Sequence, residues 1–175
     1  MDWYQTVFEL IDMRSFSNLW YWIALAVLWS STAHYVLGVP FDLVQRAARS
    51  GGQADADLRD MVRINVNRIL YIAGAAGIWL VALGSCLLTV LASLGWGYGN
   101  EFCQALFLLL FPMSLVALLS SHTARHIHAN AIQGKALYKR LKRHRFFTQA
   151  IGMVSIFVTA FWGMLQNMQI GVLGG

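Results

Sequence analysis

Histidine is the only side chain near the apolar blocks through which this sequence could hold a cofactor. His34 lies toward the inner end of one long apolar block and His122 at the inner end of another. Two histidines at similar depth in neighbouring helices is the arrangement that two axial haem ligands, or a pigment ligand, require. His122 and His126 stand four residues apart, so one helical face could carry both toward a metal. The bland reading fits the same residues: His126 and His128 belong to a basic stretch where solvated histidines are ordinary, and Ser30 and Ser31 lie near His34 as hydrogen-bond partners. Cys86 lies inside an apolar block and Cys103 at the edge of another, without the CxxC spacing of a metal or iron–sulfur site. No disulfide is expected between them, because Cys86 should sit near mid-membrane.

Other chemistry is missing. The chain has no glycine loop followed by lysine to cradle phosphates, no GxSxG and no HExxH. Ion-coupled transporters place ionisable groups inside the membrane. Here no Asp, Glu, Lys or Arg falls within the four apolar blocks. The sequence therefore predicts neither catalysis nor a resident cofactor.

The elements that would position these residues are membrane spans. Apolar residues make up 58% of the chain and charged residues 12%, against about a quarter charged in soluble domains. A span needs about 20 apolar residues to cross ~30 Å of hydrocarbon. Four blocks qualify: Leu19 to Val39, Ile69 to Leu94, Phe102 to Ser121 and Thr148 to Leu165. The predicted fold is all-α, an integral membrane bundle of four transmembrane helices. Residues 40–68 and 122–147 are the connections.

Orientation follows from lysine and arginine, which mark cytoplasmic loops. Arg46, Arg49, Arg59, Arg63 and Arg68 separate the first two spans, and seven basic residues from Arg125 to Arg145 separate the last two. The loop from Gly95 to Glu101 and the C-terminal tail have none. Both basic connections face the cytoplasm, so the topology is N-out and C-out, in a bacterial inner membrane. Trp20, Tyr21, Trp22, Trp96 and Tyr98 form an outer aromatic belt, and Tyr35, Tyr71, Phe146 and Phe147 an inner one. The acidic N-terminus lacks the pattern of a cleaved signal peptide. Trp3, Val7, Leu10, Ile11 and Arg14 at helical spacing predict an interfacial amphipathic helix over residues 1–17. Ser15, Ser17 and Asn18 offer caps for the first span.

Gly51-Gly52 reads as a hinge after a short basic amphipathic piece, with Asp55 or Asp57 capping the helix that follows. Asp55–Arg59 and Asp60–Arg63 read as surface pairs. Small residues mark the faces where helices meet in lipid, because lipid tails are as apolar as leucine. The second span carries Ala73, Gly77, Ser85 and Thr89, the fourth Gly152, Ser155, Thr159 and Gly163. Both spans are expected to have protein neighbours. Pro112 should bend the third span. Lys135, Lys139, Arg140, Lys142, Arg143 and Arg145 surround Leu137, Tyr138 and Leu141 in a basic amphipathic stretch that fits anionic lipid and carries no nucleic-acid motif.

The stretches MDWYQTVFELIDMRSFSNLWYWIALAVLWSSTAHYVLGVPFDLV, GGQADADLRDMVRINVNRILYI and IGMVSIFVTAFWGMLQN resemble a family of small multi-pass membrane proteins of alphaproteobacteria related to Rhodobacter. Its members often carry the label "component of SufBCD complex". The resemblance covers about half of the chain and implies an inner-membrane location; it transfers no functional residue. The leading expectation is a non-catalytic accessory or scaffold subunit of a larger inner-membrane complex, respiratory or photosynthetic. The alternatives are a homo-oligomeric channel or small transporter along Ser85–Thr89–Ser93, and a haem- or pigment-binding protein using His34 and His122. Expected partners are anionic lipid and other membrane proteins or self-association.

Neutralising Lys135, Lys139, Arg140, Lys142, Arg143 and Arg145 removes half of the twelve basic residues between Arg46 and Arg145. Cysteine labelling from each side of the membrane should then report mixed orientation of the last two spans, while Lys139→Gln with Lys142→Gln leaves orientation unchanged.

Overall fold

The computed structural model describes residues 15–173. Residues 1–14, most of the expected interfacial helix, lie outside them. The chain is almost entirely helical: α1 (Leu19–His34), a two-stranded hairpin of β1 (Tyr35–Val36) and β2 (Val39–Pro40), α2 (Phe41–Ser50), α3 (Gly52–Ala92), α4 (Glu101–Ala129) and α5 (Gly134–Leu173). Three helical stretches are long and apolar enough to cross a membrane: Gly52–Gly97, Glu101–Ala129 and Gly134–Met168. α1 has 16 residues, a length of ~24 Å at ~1.5 Å per residue.

The first apolar block was expected to run as one span to Val39; the helix stops at His34. Tyr35 pairs with Pro40 and Val36 with Val39, antiparallel. Leu37 and Gly38 turn the chain at φ 53° and 76°, the doubly left-handed turn that matches the twist of paired strands. Glycine is required at 38, where a Cβ would lie 2.9 Å from Asn65 Oδ1. Leu37 accepts the strain because its side chain is buried. Val36, Leu37 and Val39 hide from water as lipid-facing residues do, but in a protein core. Hydropathy alone does not separate the two.

That core occupies the basic end. Val36, Leu37 and Val39 of the hairpin meet Val44 and Ala47 of α2, Leu58, Val62 and Val66 of α3, Ala124 and Ile127 of α4, and Leu137 and Leu141 of α5. Val39, Val44, Leu58 and Leu141 are completely buried. Leu58, Val62 and Val66 recur every fourth residue, so one stripe of α3 faces inward. The break between α2 and α3 falls at Gly51 and Gly52, both left-handed, as the glycine pair predicts. Asp55 and Asp57 do not cap α3, whose cap position is Gly51 with no side-chain bond. Asp55 instead accepts hydrogen bonds from Tyr138 Oη and, at 2.5 Å, from Arg59. The Tyr138 hydroxyl first, then Arg59, hold its carboxyl below the usual range. Asp55, read as half of a surface pair, therefore also ties α3 to α5 through Tyr138.

Beyond the core the helices continue as a bundle. α5 buries one stripe along its described length: Leu137, Leu141, His144, Thr148, Gly152, Ser155, Thr159 and Gly163. The steps are three or four residues, the helical repeat. Its residues shrink from leucine to glycine where α1 comes close. A Cβ on Gly152 would lie 2.8 Å from Trp29 Cε3, and one on Gly163 would touch Phe16 and Trp22. α1 therefore runs antiparallel to α5, with Trp29 beside Gly152 and Trp22 beside Gly163. Tyr21, Leu25 and Trp29 form its buried stripe. Asn18 occupies its cap position without a side-chain bond.

The far end is polar and, apart from the unpartnered Asn18 Nδ2, hydrogen-bonded. Gln104 donates to Gly95 O at 2.7 Å and accepts from Trp162 Nε1 at 2.9 Å and Gln166 Nε2 at 3.0 Å. Glu101 accepts the Phe16 N–H at 2.8 Å. Asn100 caps α4 by accepting the Cys103 N–H at 3.1 Å. Cys86 is exposed, Cys103 is buried, and both are free thiols.

Gly152→Val forces the Trp29 ring to move and should cost about 1–3 kcal/mol, the usual penalty of overpacking. Gly84→Val, where a Cβ meets nothing within 4 Å, should change stability by less than ~0.5 kcal/mol. Thermal unfolding of both variants in detergent measures the difference.

Candidate functional site at the basic end

α1 ends, the hairpin begins and the basic part of α5 passes at one level of the molecule. Two openings flank Tyr35 there. A cavity of about 230 Å³ lies between Thr32, Tyr35, Val116, Ser120, His144 and Thr148. A groove of about 460 Å³ is lined by Ser30, Ser31, Ala33, His34, Tyr35 and Arg145. His144 and Arg145 are consecutive, so α5 turns one side chain into each opening, roughly 100° apart on the helix.

His144 is 4% exposed. Its Nδ1 lies 3.1 Å from Thr123 Oγ1 and its Nε2 3.5 Å from Ser120 Oγ. Burial pushes its pKa down to about 4, because desolvation penalises the charged form. The ring is neutral at physiological pH and offers one donor and one acceptor. One turn further along, the Thr148 Oγ1 is buried with no hydrogen-bond partner. The cavity thus holds a neutral imidazole and an unengaged hydroxyl.

Arg145 is half-buried. Its guanidinium carbon lies 3.8 Å from the centroid of the Phe41 ring, a cation–π contact. Its Nε is buried without a hydrogen-bond partner. His34 is exposed, with its ring edge-on to Tyr35 at 5.0 Å.

The sequence paired His34 with His122. Both are exposed, and His122 lines neither opening. His34 keeps company with Arg145 instead. His126 and His128 are exposed as well, and no group of three or more metal-ligating side chains occurs among the described residues. Of the basic stretch, Lys135, Lys139, Lys142 and Arg143 are exposed, Arg140 is half-buried and Arg145 stacks on Phe41. The two small-residue faces differ. Gly152, Ser155, Thr159 and Gly163 are all buried within the chain, whereas Ser85 and Thr89 are exposed and Ala73 and Gly77 only half-buried. His144 escaped the sequence reading because it sits among charges. Its spacing from Leu137, Leu141, Thr148 and Gly152 places it on the buried stripe, and that signal was available.

No family model, curated protein or solved structure matches the chain.

His144 titrates lower folded than unfolded, about 4 against 6.5. Its contribution to stability is present above pH 6.5 and is lost as pH falls toward 4, because the unfolded chain takes up the proton first. The loss should be roughly 3 kcal/mol at about 1.36 kcal/mol per pKa unit. Melting temperatures in detergent at pH 7.5 and pH 4.5 should differ more in the wild type than in His144→Gln.

Proposed function

We propose that this chain is a non-catalytic accessory or scaffold subunit of a larger bacterial inner-membrane complex. It spans the bilayer four times, with both termini outside and the basic end in the cytoplasm. α1 supports the fourth span: it lies along α5 from Gly152 to Gly163 and so occupies the same depth as the apolar part of that helix. Its shortness is met by local thinning of the bilayer, a modest cost per ångström. Arg46 to Arg68 and Arg125 to Arg145 gather at the end that positive residues retain in the cytoplasm. Exposed Lys135, Lys139, Lys142 and Arg143 contact anionic lipid there. The resemblance to alphaproteobacterial membrane proteins makes a respiratory or photosynthetic assembly the host that fits.

The open face of α3 carries this reading. In α5 the glycines are filled by Trp29, Phe16 and Trp22, while a Cβ at Gly74, Gly77 or Gly84 of α3 meets nothing within 4 Å. Only 6% of the apolar window of this helix is buried, against 28% in α4 and in α5. Small residues are where one helix backbone approaches another, and here no described residue of the chain approaches them. A transmembrane helix of the host complex takes that place. The hydroxyls of the same helix do not favour a polar path: Thr89 donates to Ser85 O at 2.8 Å and Ser93 to Thr89 O at 2.9 Å.

Purification in mild detergent followed by mass spectrometry should find other membrane chains co-eluting with the wild type. Gly77→Leu should lose them while melting at an unchanged temperature, because the added side chain clashes with the partner while its Cβ meets no described atom of this chain within 4 Å. A lone, monodisperse homo-oligomer would contradict the proposal. A Soret or near-infrared band in the same preparation would favour the haem or pigment reading.

A further inference from the structure

We propose that Arg145, His34, Ser30 and Ser31 form a binding site for a phosphate group, carried by an anionic phospholipid headgroup or by a free phosphate ester. The site goes beyond the scaffold reading and rests only on the basic end lying at headgroup level. Ser30 and His34 stand four residues apart and Ser31 and His34 three apart, so all three share the last turns of one face of α1. Arg145 crosses from α5 to the same groove of about 460 Å³.

Three observations give the groove its ligand chemistry. Arg145 has no ion pair and no hydrogen bond among the described residues, although its Nε is shut away from water. A charged donor buried without an acceptor is costly, and an oxyanion would satisfy it. No carboxylate lines the groove, so no described residue neutralises the guanidinium. Phe41 covers a face of that guanidinium, and its in-plane N–H groups, the edge that grips phosphate oxygens two at a time, make no hydrogen bond among the described residues. The Ser30 and Ser31 hydroxyls and the His34 ring make no hydrogen bond among the described residues and supply further donors. The carbonyl end of α1 opposes an anion here with roughly half a charge; the full charge of Arg145 outweighs it. His144 is turned away into its own cavity and adds no charge. Exposed Lys139 and Lys142 lie outside the groove, which separates this site from diffuse attraction to a surface.

The test uses the full chain purified in detergent, with native mass spectrometry reading retained lipid. Phosphatidylglycerol, phosphatidylcholine and inorganic phosphate are offered in separate arms. Wild type should keep one phosphatidylglycerol in preference to phosphatidylcholine, whose choline cation offsets its phosphate, or should bind inorganic phosphate if the source is a free ester. Arg145→Gln should weaken retention about tenfold, the loss of a charge-assisted hydrogen bond. Arg145→Lys should restore only part of it. Ser30→Ala and Ser31→Ala combined with His34→Gln alters exposed residues alone, keeps the Phe41 contact, and should weaken retention too. Lys139→Gln with Lys142→Gln should leave it unchanged. Equal retention of both lipids with no phosphate binding, or equal losses in the groove and lysine variants, would overturn the site. Carbonate washing of the membranes reports separately whether the chain is integral to the bilayer, so failure of the site and failure of that placement are distinguishable.

Discussion

Hydrophobic burial draws most of the elements together in one place, the basic end of the molecule. There the hairpin, α2 and parts of α3, α4 and α5 bury Val36, Val39, Val44, Leu58, Val62, Leu137 and Leu141 in one core. Everything else hangs from it. The core sets the spacing of the three long helices, and it holds the hairpin that ends α1. Tyr138 and Asp55 lock α5 to α3 on its rim. The parts of α3 and α5 in this core are continuous with the parts apolar enough to enter a bilayer, so a soluble-type core steers a membrane bundle.

Away from that core, shape replaces the hydrophobic effect. Leucine gains little by leaving lipid. The contact that holds α1 to α5 is Trp29 lying on the bare backbone of Gly152, repeated by Phe16 and Trp22 at Gly163. At the opposite end Gln104 draws Gly95, Trp162 and Gln166 into one network with both ends of its amide used. A buried amide engaged at both ends in this way sets a register that apolar packing leaves loose. α3 has neither device along its apolar half, and its small residues remain open. The difference between α3 and α5 is that the small residues of α5 are covered by described side chains and those of α3 are not.

Charge at the basic end is sorted by two consecutive residues. His144 faces inward, loses its water and stays neutral. Arg145 faces outward, lies over the Phe41 ring and finds no acceptor among the described residues. A helix separates neighbours by about 100°, enough to place one in the core and the other in a groove.

Much of this was legible in the residues. Long charge-free blocks demand apolar surroundings, so the all-α membrane character followed from composition and spacing. Gly51-Gly52 announced a break because only glycine adopts φ near 60° at no cost, and both do. The small-residue stripe of α5 announced a close helix neighbour, and Gly152 and Gly163 have one. Other features depended on which surfaces meet. Val36 and Val39 read as the end of a span because hydropathy is blind to whether lipid or protein covers a side chain. Asp55 read as a cap because its partner, Tyr138, is 83 residues away. His34 and His122 were paired by depth, which sequence periodicity supplies. Rotation about the helix axis, relative to neighbours it does not name, put His34 beside Arg145 and left His122 outside both openings. One-dimensional spacing determines what lies along a helix; only packing in three dimensions decides which face of the next helix it meets.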